Sequence, residues 1–452
     1  MSRKEKIILA ILLIVGFLLR IYKLEERLFF DWDQENFAWE AKKMLIDRKF
    51  TLIGAPTSIG GIHLGPFYTY LSNIFYFFFR MDPKGAGILS IIFGIFTIFG
   101  FYLVGKKMFN QKTAFLAAFF YTFSLPFITW DLIAWNPAPF HLFALLIVFC
   151  LYQSLKEEKY LIFLFLLLGL GFHLHFASLI FYPLTILVLI FFRPVPSKRT
   201  IFLSFLAFFL VLSPLILFDI RHNFHNTKSL FNFFFSQAGQ FSLEKTKFFS
   251  IGKMIYNETL SFLVYFWSEA LKKIFLFFFW FFLLFLWIFR KRERKILAIF
   301  YLTIFLTFVF YSFYPGHVTE YYLMPLVPIL VLLVSFIFSF LPNFFLIFLL
   351  FLLLIFNLNF WWKYDKPLSL ADKKAAVSFI INDSGNKPFR ISLTCAPGYD
   401  TGYRYLFWFY KANLSDNLKD KIYTIVAPAG YHGIKSMREF HGVGVLWEEG
   451  KK

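Results

Sequence analysis

About eleven apolar runs, most of them close to the length that crosses a bilayer, divide this chain and fix what it can become. They cover roughly 7–22, 85–104, 114–130, 139–155, 160–175, 177–192, 200–218, 272–289, 296–314, 321–340 and 343–361. In hydrocarbon each backbone amide and carbonyl must be satisfied inside its own segment, so such runs have to be helices. The chain is 59% hydrophobic and only 16% charged, whereas soluble domains are about half apolar and a quarter charged. The 72 phenylalanines suit lipid-facing helix surface, which accepts Phe wherever it accepts Leu. The reading is a polytopic α-helical membrane protein with about 11 transmembrane helices plus interfacial helices.

Charge sets the orientation. The segment 66–79 is apolar but only about 14 residues long, short for a span. If it lies in the interface, the clusters Arg3-Lys4-Lys6, Lys106-Lys107-Lys112, Lys156-Lys159, Arg193-Lys198-Arg199 and Arg290-Lys291-Arg292-Arg294-Lys295 all face the cytoplasm, as positive-inside topology requires. If it crosses, everything after it inverts and the most basic loop lands outside. The expected protein therefore sits in the cytoplasmic (inner) membrane with its N-terminus inside and its C-terminus outside. The first run is not a cleaved signal peptide, because its apolar stretch reaches Tyr22 with no small-residue cleavage site after it. A net charge of +19 invites a nucleic-acid reading, but the charges sit in short clusters between spans and not on one basic face. Cys150, in a span, and Cys395, near the C-terminus, are not placed to pair.

With that topology, His63, His173, His175, His222, His225, His317, His432 and His441 fall on the outer side, and His141 lies just below the outer end of its span. Asp131, Asp219, Arg221 and Glu320 are there too. A transporter places its ionisable groups near mid-membrane on broken helices at a repeat interface; here they crowd one surface and no internal repeat is visible. That favours an enzyme working at the outer interface. Carboxylates are scarce, 27 in all, yet Asp31, Asp33 and Glu35 cluster directly after the first span. One of Asp31 and Asp33 reads as the cap of an amphipathic helix over 34–46, whose Phe37, Ala38, Ala41, Met44 and Leu45 share a face. Capping accounts for one carboxylate and leaves the loop's acidity to chemistry.

Residues 1–362 form the membrane module, with outer loop 1 over about 23–84, and 363–452 are polar enough for a small soluble α/β domain on the outer face. Its pattern predicts helices over 368–381 and 403–410 and strands over 389–394, 422–426 and 442–446. It carries no dinucleotide or P-loop fingerprint, and a lid or docking role is its simplest reading.

Several short motifs occur in a telling order. They are Asp33-Gln34-Glu35-Asn36-Phe37 followed by Ala41, His63-Leu64-Gly65-Pro66-Phe67-Tyr68, Lys107-Met108-Phe109-Asn110, Trp135-Asn136-Pro137 and Glu320-Tyr321-Tyr322-Leu323-Met324-Pro325-Leu326-Val327-Pro328. Together they resemble the GT-C membrane glycosyltransferases, within them the group that includes protein O-mannosyltransferases, aminoarabinose transferases and lipopolysaccharide-core sugar transferases. The resemblance covers roughly residues 1–360. The chain departs from it at Gln34, where an acidic pair is usual, and at Leu64-Gly65, where the first proline of the second motif is usual.

The resemblance implies a GT-C-like fold and a polyprenyl-phosphate sugar donor, with transfer to a hydroxyl of a lipid, envelope glycan or protein. It implies no nucleic-acid partner and no firm cofactor or metal. Such a single inverting displacement needs one base for the acceptor hydroxyl and donors or cations for the departing phosphate. Asp33 matches the first acidic position and is the expected base, with Asp31 and Glu35 in reserve or support. His63, Arg221, His222 and Lys228 are expected at the phosphate. Trp135, Asn136, His317, Glu320 and Tyr321 are expected at the substrate, although Trp135 and Tyr321 also suit interfacial anchors. His173 and His175 point apart on one helix, so a structural pair fits them better than a metal site. The alternative functions are a polyprenyl-glycan flippase and a non-catalytic envelope-assembly protein.

Overall fold

The computed structural model describes residues 1–57, 60–236, 245–263, 269–314, 316–385 and 387–450. Every apolar run predicted from the sequence is helical. In chain order the membrane module contains α1 (Arg3–Ile21), α2 (Leu24–Arg27), α3 (Trp32–Leu45), α4 (Phe67–Phe78), α5 (Lys84–Met108), α6 (Gln111–Phe123), α7 (Leu125–Trp130), α8 (Phe140–Ser154) and α9 (Lys159–Leu174). After a 3-10 turn over Phe176–Ile180 come α10 (Phe181–Phe192), α11 (Lys198–Arg221), α12 (His225–Phe231), α13 (Lys245–Glu258), α14 (Glu269–Phe289) and α15 (Arg294–Phe313). A second 3-10 turn, Glu320–Leu323, precedes α16 (Val327–Phe338) and α17 (Asn343–Lys363). Among the described residues, 5 helices are by themselves long and apolar enough to cross a membrane, and α8, α9, α10 with its preceding 3-10 turn, and α16 are shorter apolar helices. The run 114–130 is two helices, because Ser124 adopts an extended backbone and Pro126 starts α7 at its first turn.

Polar contacts sort the helix ends into two groups. Glu5 at the start of α1 pairs with Lys106 at the end of α5 at 2.8 Å. Lys112 donates to the carbonyl of Leu341, between α16 and α17, at 2.7 Å. Glu158, before α9, accepts from the backbone N–H of Ser197, before α11, at 2.6 Å, and Lys295 lies over the Phe192 ring at 5.6 Å. The basic connections thus gather at one end of the bundle. The segment 66–79 does not cross it. The N–H of Phe67 donates to His173 Nδ1 at 3.3 Å, at the far end of α9. Beyond the other end of α4, the carbonyl of Met81 accepts from Tyr405 Oη at 2.7 Å. Both ends of α4 therefore lie opposite the basic loops, as the charge argument requires.

The C-terminal segment contains α18 (Leu370–Asp383), β1 (Arg390–Cys395), α19 (Tyr403–Phe409), β2 (Ile422–Ala427), β3 (Arg438–Phe440) and β4 (Val443–Glu448). The sheet runs β1-β2-β4-β3, with β1 parallel to β2 and the remaining pairs antiparallel. Sequence reasoning missed β3, a three-residue edge with its first two side chains exposed. The core of this segment is not separate from the connection after α1. Leu28, Phe30, Ala38 and Ala41 pack in one cluster with Leu370, Val377, Tyr405 and Tyr423.

Buried charges reinforce that seam. Lys373 Nζ, fully buried, donates to the carbonyl of Phe30 and to Asp31 Oδ1, both at 2.8 Å, and to the carbonyl of Thr401 at 3.0 Å. The carboxylate of Glu35 accepts from the N–H groups of Gly402 at 2.7 Å and Tyr405 at 2.9 Å. Lys374 bridges Glu25 at 3.0 Å and Asp82 at 2.8 Å. Desolvated ions of this kind persist only when paired, so the loop that carries Asp33 is fixed from above.

Candidate functional site

The connection after α1 builds the site from a capped amphipathic helix. Asp31 stands at the N-cap of α3, and its N–H is bound by Gln34 Oε1 at 3.0 Å. Phe37, Ala38, Ala41 and Met44 are buried, so α3 lies flat on α4 and on the C-terminal segment. That leaves its first turn to present Asp33. The three acidic residues consequently take different roles. Asp31 holds Lys373 and Glu35 holds the start of α19. The Asp33 carboxylate has neither a hydrogen-bond nor an ion-pair partner among the described residues. Burial, and secondarily the Asp31 charge, raise its pKa above the ordinary aspartate value. Glu35 accepts from the start of α19 and lines neither of the cavities described next.

Asp33, Trp32, Ala55 and Pro56 are common to the walls of two cavities. One, of about 290 Å³, is aromatic, with Trp135, Asn136, His175, Tyr311, Tyr314, Tyr321 and Tyr322 around it. Its rings brace one another: Trp135 lies 5.4 Å from Tyr321, and Tyr322 lies 5.8 Å from Tyr311. Trp135 Nε1 is buried there with no partner among the described residues, an unusual state for a buried indole N–H. Asn136 Nδ2 is committed to the carbonyl of Leu174, so it positions the end of α9 while lining the cavity.

The second cavity, of about 300 Å³, contains Asn36, Glu40, Thr51, Thr69 and His63. Asn226 grips the backbone of His63 through Oδ1 at 2.7 Å and Nδ2 at 3.2 Å. Asp219 Oδ1 in turn accepts from the N–H of Asn226 at 2.8 Å. His63 Nδ1 is buried without a partner among the described residues. Burial, and then the nearby His225, lower its pKa. Both effects favour the neutral imidazole over the cation. Beyond it, the His63 ring lies 6.2 Å from Phe218, which stacks on His222 at 4.1 Å.

The other expected residues are placed less centrally. Arg221, His222 and Lys228 are exposed and outside both cavities. His317 and Glu320 are also exposed and line neither, so the structure does not bring them to the site. Trp135, Asn136 and Tyr321 do line it. The two histidines of the 173/175 pair belong to different elements. His173 ends α9 and binds Phe67, whereas His175 caps the 3-10 turn and reaches the aromatic cavity. Trp32, His175, Tyr311, Tyr314 and Tyr322 are site residues that sequence reasoning missed. Three tyrosines around one short connection were the available signal. Among the described residues, no group of three His, Cys, Asp or Glu is arranged to hold a metal ion.

This arrangement, a helical bundle with an acidic first loop under a small α/β cap, is the GT-C glycosyltransferase fold. ArnT from Cupriavidus metallidurans, in a structure bound to undecaprenyl phosphate, aligns with a TM-score of 0.62 over 98% of this chain and 97% of that one, at 11% identity. The oligosaccharyltransferase AglB from Archaeoglobus fulgidus, in complex with an inhibitory peptide and a dolichol-phosphate, aligns with a TM-score of 0.53 over 95% and 70%, at 13% identity. Residues 63–218 match the family model for dolichyl-phosphate-mannose-protein mannosyltransferase. The resemblance drawn from the short motifs is therefore borne out, and the family match begins at the His63 motif itself. No curated protein matches the chain.

Proposed function

We propose that this protein transfers a sugar from a polyprenyl-monophosphate donor to a hydroxyl of a lipid, envelope glycan or protein at the outer face of the cytoplasmic membrane. One observation carries the reading: the unpartnered Asp33 carboxylate on the wall between two cavities. A single displacement brings a hydroxyl and an anomeric carbon together at one base. The acceptor O–H gives its proton to Asp33 as the oxygen attacks the anomeric carbon. The carbon–oxygen bond to phosphate breaks, the phosphate leaves with the electron pair, and the configuration inverts. A carboxylate whose pKa is raised by burial is a stronger base for that step. The family match and the whole-chain likeness to ArnT support the donor class.

The phosphate is assigned to the His63 side, where the imidazole Nδ1 has no partner among the described residues and Arg221, His222 and Lys228 are exposed. His63→Ala should raise the KM for donor about 10- to 100-fold, the scale of one hydrogen bond to a charged group. Arg221→Ala should raise it by less than about 5-fold, because an exposed ion pair contributes under about 1 kcal/mol. Equal effects, or a larger one at Arg221, would move the phosphate onto those exposed side chains.

The outer face is tested at Lys84, half-exposed beside Glu25 and Asp82 at the site end of the bundle. A cysteine there should react with an impermeant maleimide in intact cells, after outer-membrane permeabilisation where there is an outer membrane. Labelling only after the inner membrane is breached contradicts the orientation. The activity is tested with the purified protein in vesicles, a sugar-labelled polyprenyl phosphate and a membrane extract as acceptor source. Label should leave the donor for a new product. Movement of intact donor across the bilayer, with no cleavage of the sugar–phosphate bond, would mark a flippase instead.

A further inference from the structure

The largest of the cavities described lies away from Asp33, between α3 and the C-terminal segment. It holds about 1120 Å³, above the 300–1,000 Å³ usual for small-molecule sites. Trp39 of α3 and Trp408 of α19 form one wall, 5.7 Å apart and both packed against Tyr405 at 5.2 Å. Tyr431 and Tyr403 supply further aromatic surface, and the exposed Asp400 and Arg404 stand among them. Tyr403 is fully buried behind this wall, and its hydroxyl has no hydrogen-bond partner among the described residues. None of these residues serves the Asp33 cavities.

We infer that this cleft binds the acceptor, and that the acceptor is an oligosaccharide. The inference rests on the glycosyltransferase reading and names the substrate class it leaves open. Rigid aromatic faces suit the C–H faces of sugar rings, and planar Asp and Arg groups bind neighbouring hydroxyls in pairs. Trp39 follows Asp33 by six residues on the same helix, a rise of about 9 Å and a turn of about 240°, and no described residue lines both this cleft and the Asp33 cavities. A glycan held here meets the base only by passing round the first turns of α3, a path that an oligosaccharide spans and a single sugar does not. An extended peptide added to the open edge of β1 is the competing occupant. That edge is already covered at its start by the bridge between Phe389 and Leu414 and is only six residues long, so sugar is favoured over strand.

Saturation-transfer NMR on the full chain in detergent tests this, with mannotetraose, maltotetraose and chitotetraose as probes and a Val-Thr octapeptide as the competing arm. At least one oligosaccharide should receive saturation through its ring protons, and Arg404→Ala, an exposed and fold-neutral change, should weaken its binding at least 5-fold. Trp408→Ala should abolish the signal and Trp408→Phe should restore part of it. Binding of the peptide alone, no binding of any tetrasaccharide, or binding indifferent to both Arg404 and Trp408 overturns the inference. Asp33→Asn separates the two claims. If it stops transfer while oligosaccharide still binds, both stand. If it stops transfer and no oligosaccharide binds, the cleft assignment alone fails. If it transfers at the wild-type rate, the glycosyltransferase mechanism fails and takes the acceptor assignment with it.

Discussion

Asp33→Asn should lower sugar transfer by roughly 10²–10⁴-fold, the scale of a lost general base, while the protein should still fold and bind intact donor. The stability side follows from the direction of its pKa. A carboxyl whose folded pKa is raised contributes stability only below its unfolded value, and that contribution is lost as pH rises through the folded one. At neutral pH the ionised Asp33 is a burden on the fold, which the neutral amide relieves. The lost attraction to the α3 N-terminus, roughly 0.3–1 kcal/mol, opposes this, so thermal stability should stay near that of the native protein. Asp31→Asn should do the reverse. It weakens the charge partner of the fully buried Lys373, so it loosens the C-terminal segment and lowers stability more than it lowers transfer. Parallel transfer and thermal-unfolding measurements on the two variants check the assignment. A dead but stable Asp31→Asn beside an active Asp33→Asn would exchange their roles.

The second large effect is structural. Arg20 near the end of α1 is fully buried, and its Nε lies 2.7 Å from Asp131 Oδ2. Its other nitrogens donate to the carbonyls of Gly16, Thr122 and Tyr121, and Tyr121 Oη donates to Asp131 Oδ1 at 3.0 Å. This network ties the first helix to the α6–α7 break beneath the site. Removing one member leaves an uncompensated buried charge, so Arg20→Met alone should destabilise by about 3–5 kcal/mol. Arg20→Met with Asp131→Leu removes both charges and should recover most of that loss. Thermal unfolding in detergent reads both variants. A double variant as unstable as the single one would mean that the hydrogen bonds to the carbonyls, and not the charge balance, hold this corner.

The fold was legible because membrane insertion is a one-dimensional problem. Apolar run length gives the helices, and the basic clusters gave both their alternation and the refusal of 66–79 to cross, which the shared end of Phe67 and Met81 bears out. The α3 helix was legible for the same reason, since periodicity marks a buried face. The division of labour among Asp31, Asp33 and Glu35 was not, because it is decided by Lys373 and by the start of α19, more than 300 residues away in sequence. Tyr311, Tyr314 and Tyr322 read as interfacial aromatics until their rings are found around one space. His317 and Glu320 drew attention by spacing alone, and spacing does not report which way a loop turns. The 173/175 pair was judged as one helix, whereas α9 stops between them.

The central claim, that this protein consumes a polyprenyl-phosphate sugar, is tested most directly by mass spectrometry of the lipids of a strain lacking the gene. Strains restored with the native chain and with Asp33→Asn are compared in parallel. A polyprenyl monophosphate carrying one sugar should accumulate in the deletion strain and in the Asp33→Asn strain and fall back in the strain restored with the native chain, its mass identifying the sugar. Identical polyprenyl-phosphate sugar profiles in all strains would contradict the account.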